Sequence, residues 1–130
     1  MALLKHALLA RDLKTDRDGK LTSIVGIVDT CGGFVASGGE QLTLLFWCTG
    51  APAETIDFHV EIASPTSVVR TDAFALTIDG KFPEEVAALP VAIDGHDKGR
   101  HMISLWFGDE RVWERPFTVG VLAAAPARVQ

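Results

Sequence analysis

From Thr55 to Ile62 the chain reads Thr-Ile-Asp-Phe-His-Val-Glu-Ile, so Ile56, Phe58, Val60 and Ile62 fall on one side and Asp57, His59 and Glu61 on the other. A period of two this clean belongs to a strand with one face in a core and one in water; wound as a helix, the segment would scatter charge and hydrocarbon on every side. Gln41–Cys48 follows the same habit, with Leu42, Leu44, Phe46 and Cys48 opposite Thr43, Leu45 and Trp47, so its outer face is partly apolar. Arg100–Phe107 and Arg111–Val119 flank Gly108-Asp-Glu, a hairpin connection with glycine where a positive φ is needed. Pro116 has no N–H to give to a ladder, which predicts an edge strand or a bulge at that point.

The β-branched run from Leu21 to Val28 follows the turn Asp16-Arg-Asp-Gly19 and, with Ala2–Arg11 before it, makes an opening hairpin. The Ala and Leu of that first segment also fit helical spacing, and strand is the reading preferred. Val68–Arg70 and Phe74–Ile78 supply one bent or two short strands ended by Asp79-Gly80. Pro83-Glu-Glu-Val-Ala-Ala-Leu89 carries an early proline, acids in its first turn and Pro90 as a stop, which predicts a helix of one or two turns before extended structure resumes at Val91. Regular short strands without helical crossovers predict an all-β fold, an antiparallel immunoglobulin-like β-sandwich of seven or eight strands with one short helix. A length of 130 residues suits one domain, placed at 1–120, with 121–130 as a tail.

The opening Ala2-Leu-Leu, the stretch Asp18-Gly-Lys-Leu-Thr-Ser-Ile-Val-Gly-Ile-Val-Asp29 and the closing Glu114-Arg-Pro-Phe-Thr-Val119 are similar to a family of small bacterial immunoglobulin-like sandwiches of unknown function. The resemblance spans most of residues 1–120 and implies the fold. It carries over no site, because the motifs are structural. The cysteine and tryptophan spacing of an antibody domain is not present.

Twelve Lys and Arg against seventeen Asp and Glu give a net charge of −5, and no stretch gathers the basic residues into a stripe. Nucleic acid is therefore disfavoured as a partner, since phosphate binding rests on clustered cations, and so is an anionic membrane surface. The start, Met1-Ala-Leu-Leu-Lys-His-Ala-Leu-Leu-Ala10, is interrupted by Lys5 and His6 and runs at once into charged residues, so it reads as part of the fold rather than as a secretory signal. With no window long and apolar enough to span a bilayer, the expectation is a cytoplasmic protein with Cys31 and Cys48 reduced.

Sites of chemistry are few. Asp94, His96, Asp97 and His101 crowd into eight residues and form the best metal candidate, since imidazole and carboxylate suit zinc or a similar ion, although a solvated turn has the same composition. Asp57, His59 and Glu61 could tune acid–base chemistry on their strand face, but no nucleophile can be placed beside the histidine, and a polar outer face explains them better. Asp16-Arg-Asp-Gly19 resembles the start of a calcium loop, yet the closing Glu that such a loop requires is Val25 here. The glycine-rich Cys31–Glu40 stretch lacks the Lys and the following helix of a phosphate loop. Cys31, beside Gly32, has no neighbouring cation to activate it. No enzyme and no cofactor are expected.

The three tryptophans are more informative. Trp47 and Trp106 fall opposite the core-facing residues of their strands, and if both strands share a sheet they make an outward aromatic patch with Leu45 and Met102. The expected function is that of a noncatalytic interaction or structural module, associating with a protein partner or with itself through that patch or through the edge strand at Pro116. A small-ligand or metal-binding domain using Asp94, His96 and His101 is one alternative. An accessory subunit of a phage virion or other large assembly is another.

Overall fold

The computed structural model describes residues 2–18, 21–27, 33–36, 40–81, 83–93 and 98–120. Among the described residues ten strands follow one another: β1 Leu3–Thr15, β2 Leu21–Ile27, β3 Gly33–Ala36, β4 Glu40–Thr49, β5 Thr55–Ala63, β6 Val68–Arg70, β7 Phe74–Thr77, β8 Glu85–Ile93, β9 Gly99–Phe107 and β10 Glu110–Gly120. The expected tail at 121–130 lies outside the described residues.

One sheet runs in the order β2-β1-β4-β8 and the other in the order β3-β10-β9-β5-β6, with β7 also paired to β5. Among the described residues every pairing is antiparallel except the short parallel contact of β3 with β10. Placing β4 beside β8 in one layer and β10, β9 and β5 side by side in the other, with connections that cross between layers, gives the strand order of an immunoglobulin-like sandwich.

Alternation decides which side chains meet between the layers. From the four-stranded sheet come Leu42, Leu44 and Phe46 of β4, all fully buried, with Leu89, Val91 and Ile93 of β8. From the other sheet come Ile56, Phe58 and Val60 of β5, Ile103 and Leu105 of β9, and Phe117 and Val119 of β10. Phe46 sits at the centre, its ring 5.0 Å from Phe58 and 5.7 Å from Phe107. Each such side chain removed from water contributes about 1.5–3 kcal/mol, and this layer is the main source of stability.

The β9–β10 hairpin turns at Gly108, whose φ of 60° is the left-handed conformation expected of that glycine and whose N–H donates to the Asp57 carbonyl at 2.8 Å. The two short strands expected after Val68 form side by side along β5: β6 against Glu61–Ala63 and β7 against Thr55–Phe58. Thr71 bridges the gap between them. Its Oγ1 accepts the Val60 N–H at 3.0 Å and its own N–H donates to the Val60 carbonyl at 2.9 Å, so the ladder loses nothing where the strand breaks.

The helix expected over 83–89 does not form. Glu85–Ile93 is strand β8, in register with β4 from Cys48↔Glu85 to Glu40↔Ile93. Its burial alternates, with Leu89, Val91 and Ile93 inward and Ala88, Pro90 and Ala92 outward. Alanine fits either element, and here pairing with β4 and burial of three aliphatic side chains outweigh the weak helix preference of two turns. Pro90 would break a helix but is tolerated because β8 is an edge strand, where a missing N–H can face outward.

Pro116 is neither at a bulge nor on a wholly open edge. The bulge of β10 lies between Arg111 and Trp113, while β3 pairs only with Phe117–Gly120. Among the described residues the outer side of β10 is therefore open up to Pro116 and covered beyond it.

Candidate functional site

Trp47 and Trp106 do not share a surface. Trp47 belongs to β4 and Trp106 to β9, so the two indoles lie on the outer faces of opposite sheets and the single aromatic patch does not exist. Period two fixes the face a residue occupies; which sheet it joins is set by distant pairing. Leu45 stays with Trp47, and Met102 with Trp106.

On the six-stranded sheet, Trp106 is half-buried in a polar setting. Its ring stacks on His59 at 5.7 Å and 13°, the Arg111 guanidinium lies 6.0 Å from its centroid, and its Nε1–H donates to Ser104 Oγ at 3.0 Å. Glu61 pairs with Arg70 one row away, and Glu114 with Arg111 at 3.3 Å. Asp57, His59 and Glu61 occupy this outer face as their alternation requires, and His59 is engaged with Trp106, its Nε2 buried without a hydrogen-bond partner. Met102 sits half-buried between Ala63 and Pro116 of the neighbouring strands. The indole has its hydrogen bond and its stacking partners already, and charged groups of both signs surround it.

The outer face of the four-stranded sheet is different in kind. Trp47 lies between His6 of β1, whose ring meets it edge-on at 6.1 Å, and Val86 of β8, which is 45% exposed. In the next row Leu45 is flanked by Leu8 and Ala88, and in the next Thr43 by Ala10 and Pro90. Leu45 is only 2% exposed and Ala10 is fully buried, so neither presents itself at the surface, against the expectation for Leu45, and the exposed part of these rows is carried by Val86, Ala88 and Pro90 with half-buried Trp47, Leu8 and Thr43. Over these three rows no side chain is a carboxylate, an ammonium or a guanidinium, in a chain of net charge −5. The β8 residues Val86, Ala88, Pro90 and Ala92, all exposed, carry this apolar surface to the edge of the sheet, which is open among the described residues. Sequence reading missed β8 because its outward residues are small, but their strict alternation with Leu89, Val91 and Ile93 was the available signal.

The third tryptophan is part of the core. Trp113 is 9% exposed, with the Arg115 guanidinium 5.4 Å from its ring centroid, and both Trp113 Nε1 and Arg115 Nε are buried without partners.

The metal candidate does not assemble among the described residues. Asp94, His96 and Asp97 lie outside them, and His101 points inward, 3% exposed, with its ring 5.1 Å from Phe117 and Nδ1 3.0 Å from the Gly99 carbonyl. No group of three metal-binding side chains occurs among the described residues. Cys31 and the glycine-rich segment around it likewise fall largely outside them. Cys48 is a free, fully buried thiol on the inner face of β4. Burial pushes its pKa up, and the carboxylates of Glu85, Glu54 and Glu84 push it further the same way, the opposite of what a nucleophile needs. No helix among the described residues is long and apolar enough to cross a membrane.

No known protein-family model matches the sequence, and no curated protein matches it. Solved structures do. A TM-score of 0.55 at 17% identity relates 92% of this chain to 30% of the alkylpurine DNA glycosylase AlkC of Pseudomonas fluorescens, solved bound to DNA containing an abasic site analog. A TM-score of 0.52 at 8% identity relates 92% of it to 17% of a GH3 β-glucosidase of Bifidobacterium adolescentis. An immunoglobulin-like protein of Pseudomonas aeruginosa aligns over 91% of this chain and 95% of its own, with a TM-score of 0.47 and 14% identity. The chain thus spans less than a third of either enzyme, and what it shares with them is the fold.

Proposed function

We propose that this chain is a noncatalytic β-sandwich module that associates with a second copy of itself through the outer face of β1, β4 and β8 around Trp47 and through the edge of β8, which is unpaired among the described residues. The observation that carries the reading is the uncharged surface around Trp47, continuous with that edge. In a two-fold dimer each residue meets its own equivalent or a neighbour, so two copies of an acidic chain come together best through a face that carries no like charges. The Trp106 face, with Asp57, Glu61 and Glu114 among its cations, would oppose like charges in most registers. An edge strand with unpaired backbone groups is in addition a template for strand addition, and Pro90 limits the ladder it can offer.

The larger enzymes that contain a similar sandwich support the reading of a module, while the DNA of the glycosylase stays with that protein. A net charge of −5 without a basic stripe gives phosphates nothing to bind.

Light scattering on size-fractionated protein tests the proposal. Wild type is expected to weigh as a dimer at micromolar concentrations. Ala88→Lys, which adds a cation to an exposed alanine beside Leu45 in each copy, is expected to weigh as a monomer while melting within a few degrees of wild type. Trp106→Ser, on the other sheet, is expected to remain dimeric. A wild type that stays monomeric at every concentration, or an Ala88→Lys protein that stays dimeric, would overturn the assignment.

A further inference from the structure

Between the two sheets, at the end where β8 finishes and β9 begins, a cleft of about 220 Å³ is lined by Ile62, Val69, Ala92, Ile93, Ser64, Ser67 and His101. Val69 pairs across the strands with Ile62 and turns toward the same side, yet it remains 60% exposed, so a branched apolar side chain stands open to the cleft. The two serine hydroxyls are occupied by their own turn. Ser64 Oγ accepts the Ser67 N–H at 3.1 Å and lies 3.2 Å from both the Ser67 hydroxyl and its carbonyl.

His101 is the polar group that the turn does not use. It is 3% exposed, and Nδ1 lies 3.0 Å from the Gly99 carbonyl oxygen. A carbonyl can only accept, so Nδ1 carries the hydrogen, and in that tautomer Nε2 is the nitrogen that can accept. A hydrogen-bond donor on a small molecule in the cleft would complete the hydrogen bonding of this ring.

Size narrows the occupant. The cleft exceeds the roughly 150 Å³ that accommodates benzene and falls short of the roughly 300 Å³ where drug-sized sites begin, which leaves space for one substituted ring. We propose that this cleft binds a small single-ring molecule, apolar apart from one hydrogen-bond donor of the phenol type, which seats its ring against Ile62, Val69 and Ile93 and donates to His101 Nε2. The site lies between the sheets and shares only Ala92 with the surface described above, while Ile62, Val69 and His101 belong to the other sheet.

Methyl-detected NMR titrations with phenol and with toluene test it on wild type, Val69→Trp and His101→Leu. Phenol is expected to shift the methyls of Ile62, Val69 and Ile93 and to move the His101 Nε2 signal, which toluene leaves in place. Val69→Trp, a change at an exposed position that fills the cleft, is expected to abolish binding of both. In His101→Leu the ratio of phenol to toluene affinity is expected to fall about fivefold, the worth of one hydrogen bond that toluene never made. Should His101→Leu fail to fold, the wild-type His101 Nε2 signal carries the same discrimination. The assignment is overturned by cleft methyls that phenol does not shift, by unchanged binding in Val69→Trp, or by a His101 signal that answers phenol and toluene alike.

Discussion

Val91→Asp is expected to remove about 3–5 kcal/mol of folding stability, while Ala92→Asp, the next residue, changes it by no more than about 0.5 kcal/mol. Val91 is 2% exposed and pairs with Leu42 on the inner face of the four-stranded sheet, so its replacement leaves a carboxylate among hydrocarbon with no partner. Ala92 points outward and is exposed in a single copy, so in the dissociated chain, where the two variants are compared, a carboxylate there remains hydrated. Adjacent residues with opposite outcomes are the signature of a strand. Urea denaturation of the two variants measures the difference directly. Equal losses would contradict the assignment of β8.

Phe46→Ala is expected to cost about 3–5 kcal/mol, a substantial part of the roughly 5–15 kcal/mol that holds an ordinary domain together. Phe46 is fully buried and touches aromatic rings of both β5 and β9, Phe58 at 5.0 Å and Phe107 at 5.7 Å, so no neighbour can close the space without separating the sheets. Half-buried Trp47, which follows it in sequence but faces out, should lose far less when cut to alanine. Thermal and urea unfolding of the pair check this, and a Phe46→Ala loss below about 1.5 kcal/mol would contradict a core centred on that ring.

How much of this could be read from the chain depends on the contrast between the two faces of each strand. β5 was legible because Asp57, His59 and Glu61 mark its outer side as plainly as Ile56, Phe58 and Val60 mark its inner one. The hairpin at Gly108 was legible because the turn needs the backbone freedom that glycine supplies. β8 was not, since alanine outside and alanine inside leave a weak alternation that two acids and a proline make look helical. The placement of Trp47 and Trp106 on different sheets was not either, because strand order arises from pairings such as β4 with β8 that are remote in sequence. His101 could have been assigned to the interior from the parity it shares with Ile103 and Leu105, a signal outweighed by its nearness to Asp94 and His96. Arg115 shares its inward parity with Trp113 and Phe117, and the sequence gives no hint that its guanidinium would be accommodated over the Trp113 ring.

The central claim is that the surface around Trp47 and the β8 edge closes against a second copy. Backbone hydrogen exchange at low-micromolar and near-millimolar protein compares the two states without altering the sequence, since association protects only what it covers and does so in proportion to concentration. Amides of β8 between Val86 and Ala92 are expected to slow markedly at the higher concentration, while those of β6 and β7 at the far edge of the other sheet exchange at the same rate in both. Identical exchange across β8 at the two concentrations would contradict the account, as would new protection confined to the Trp106 face.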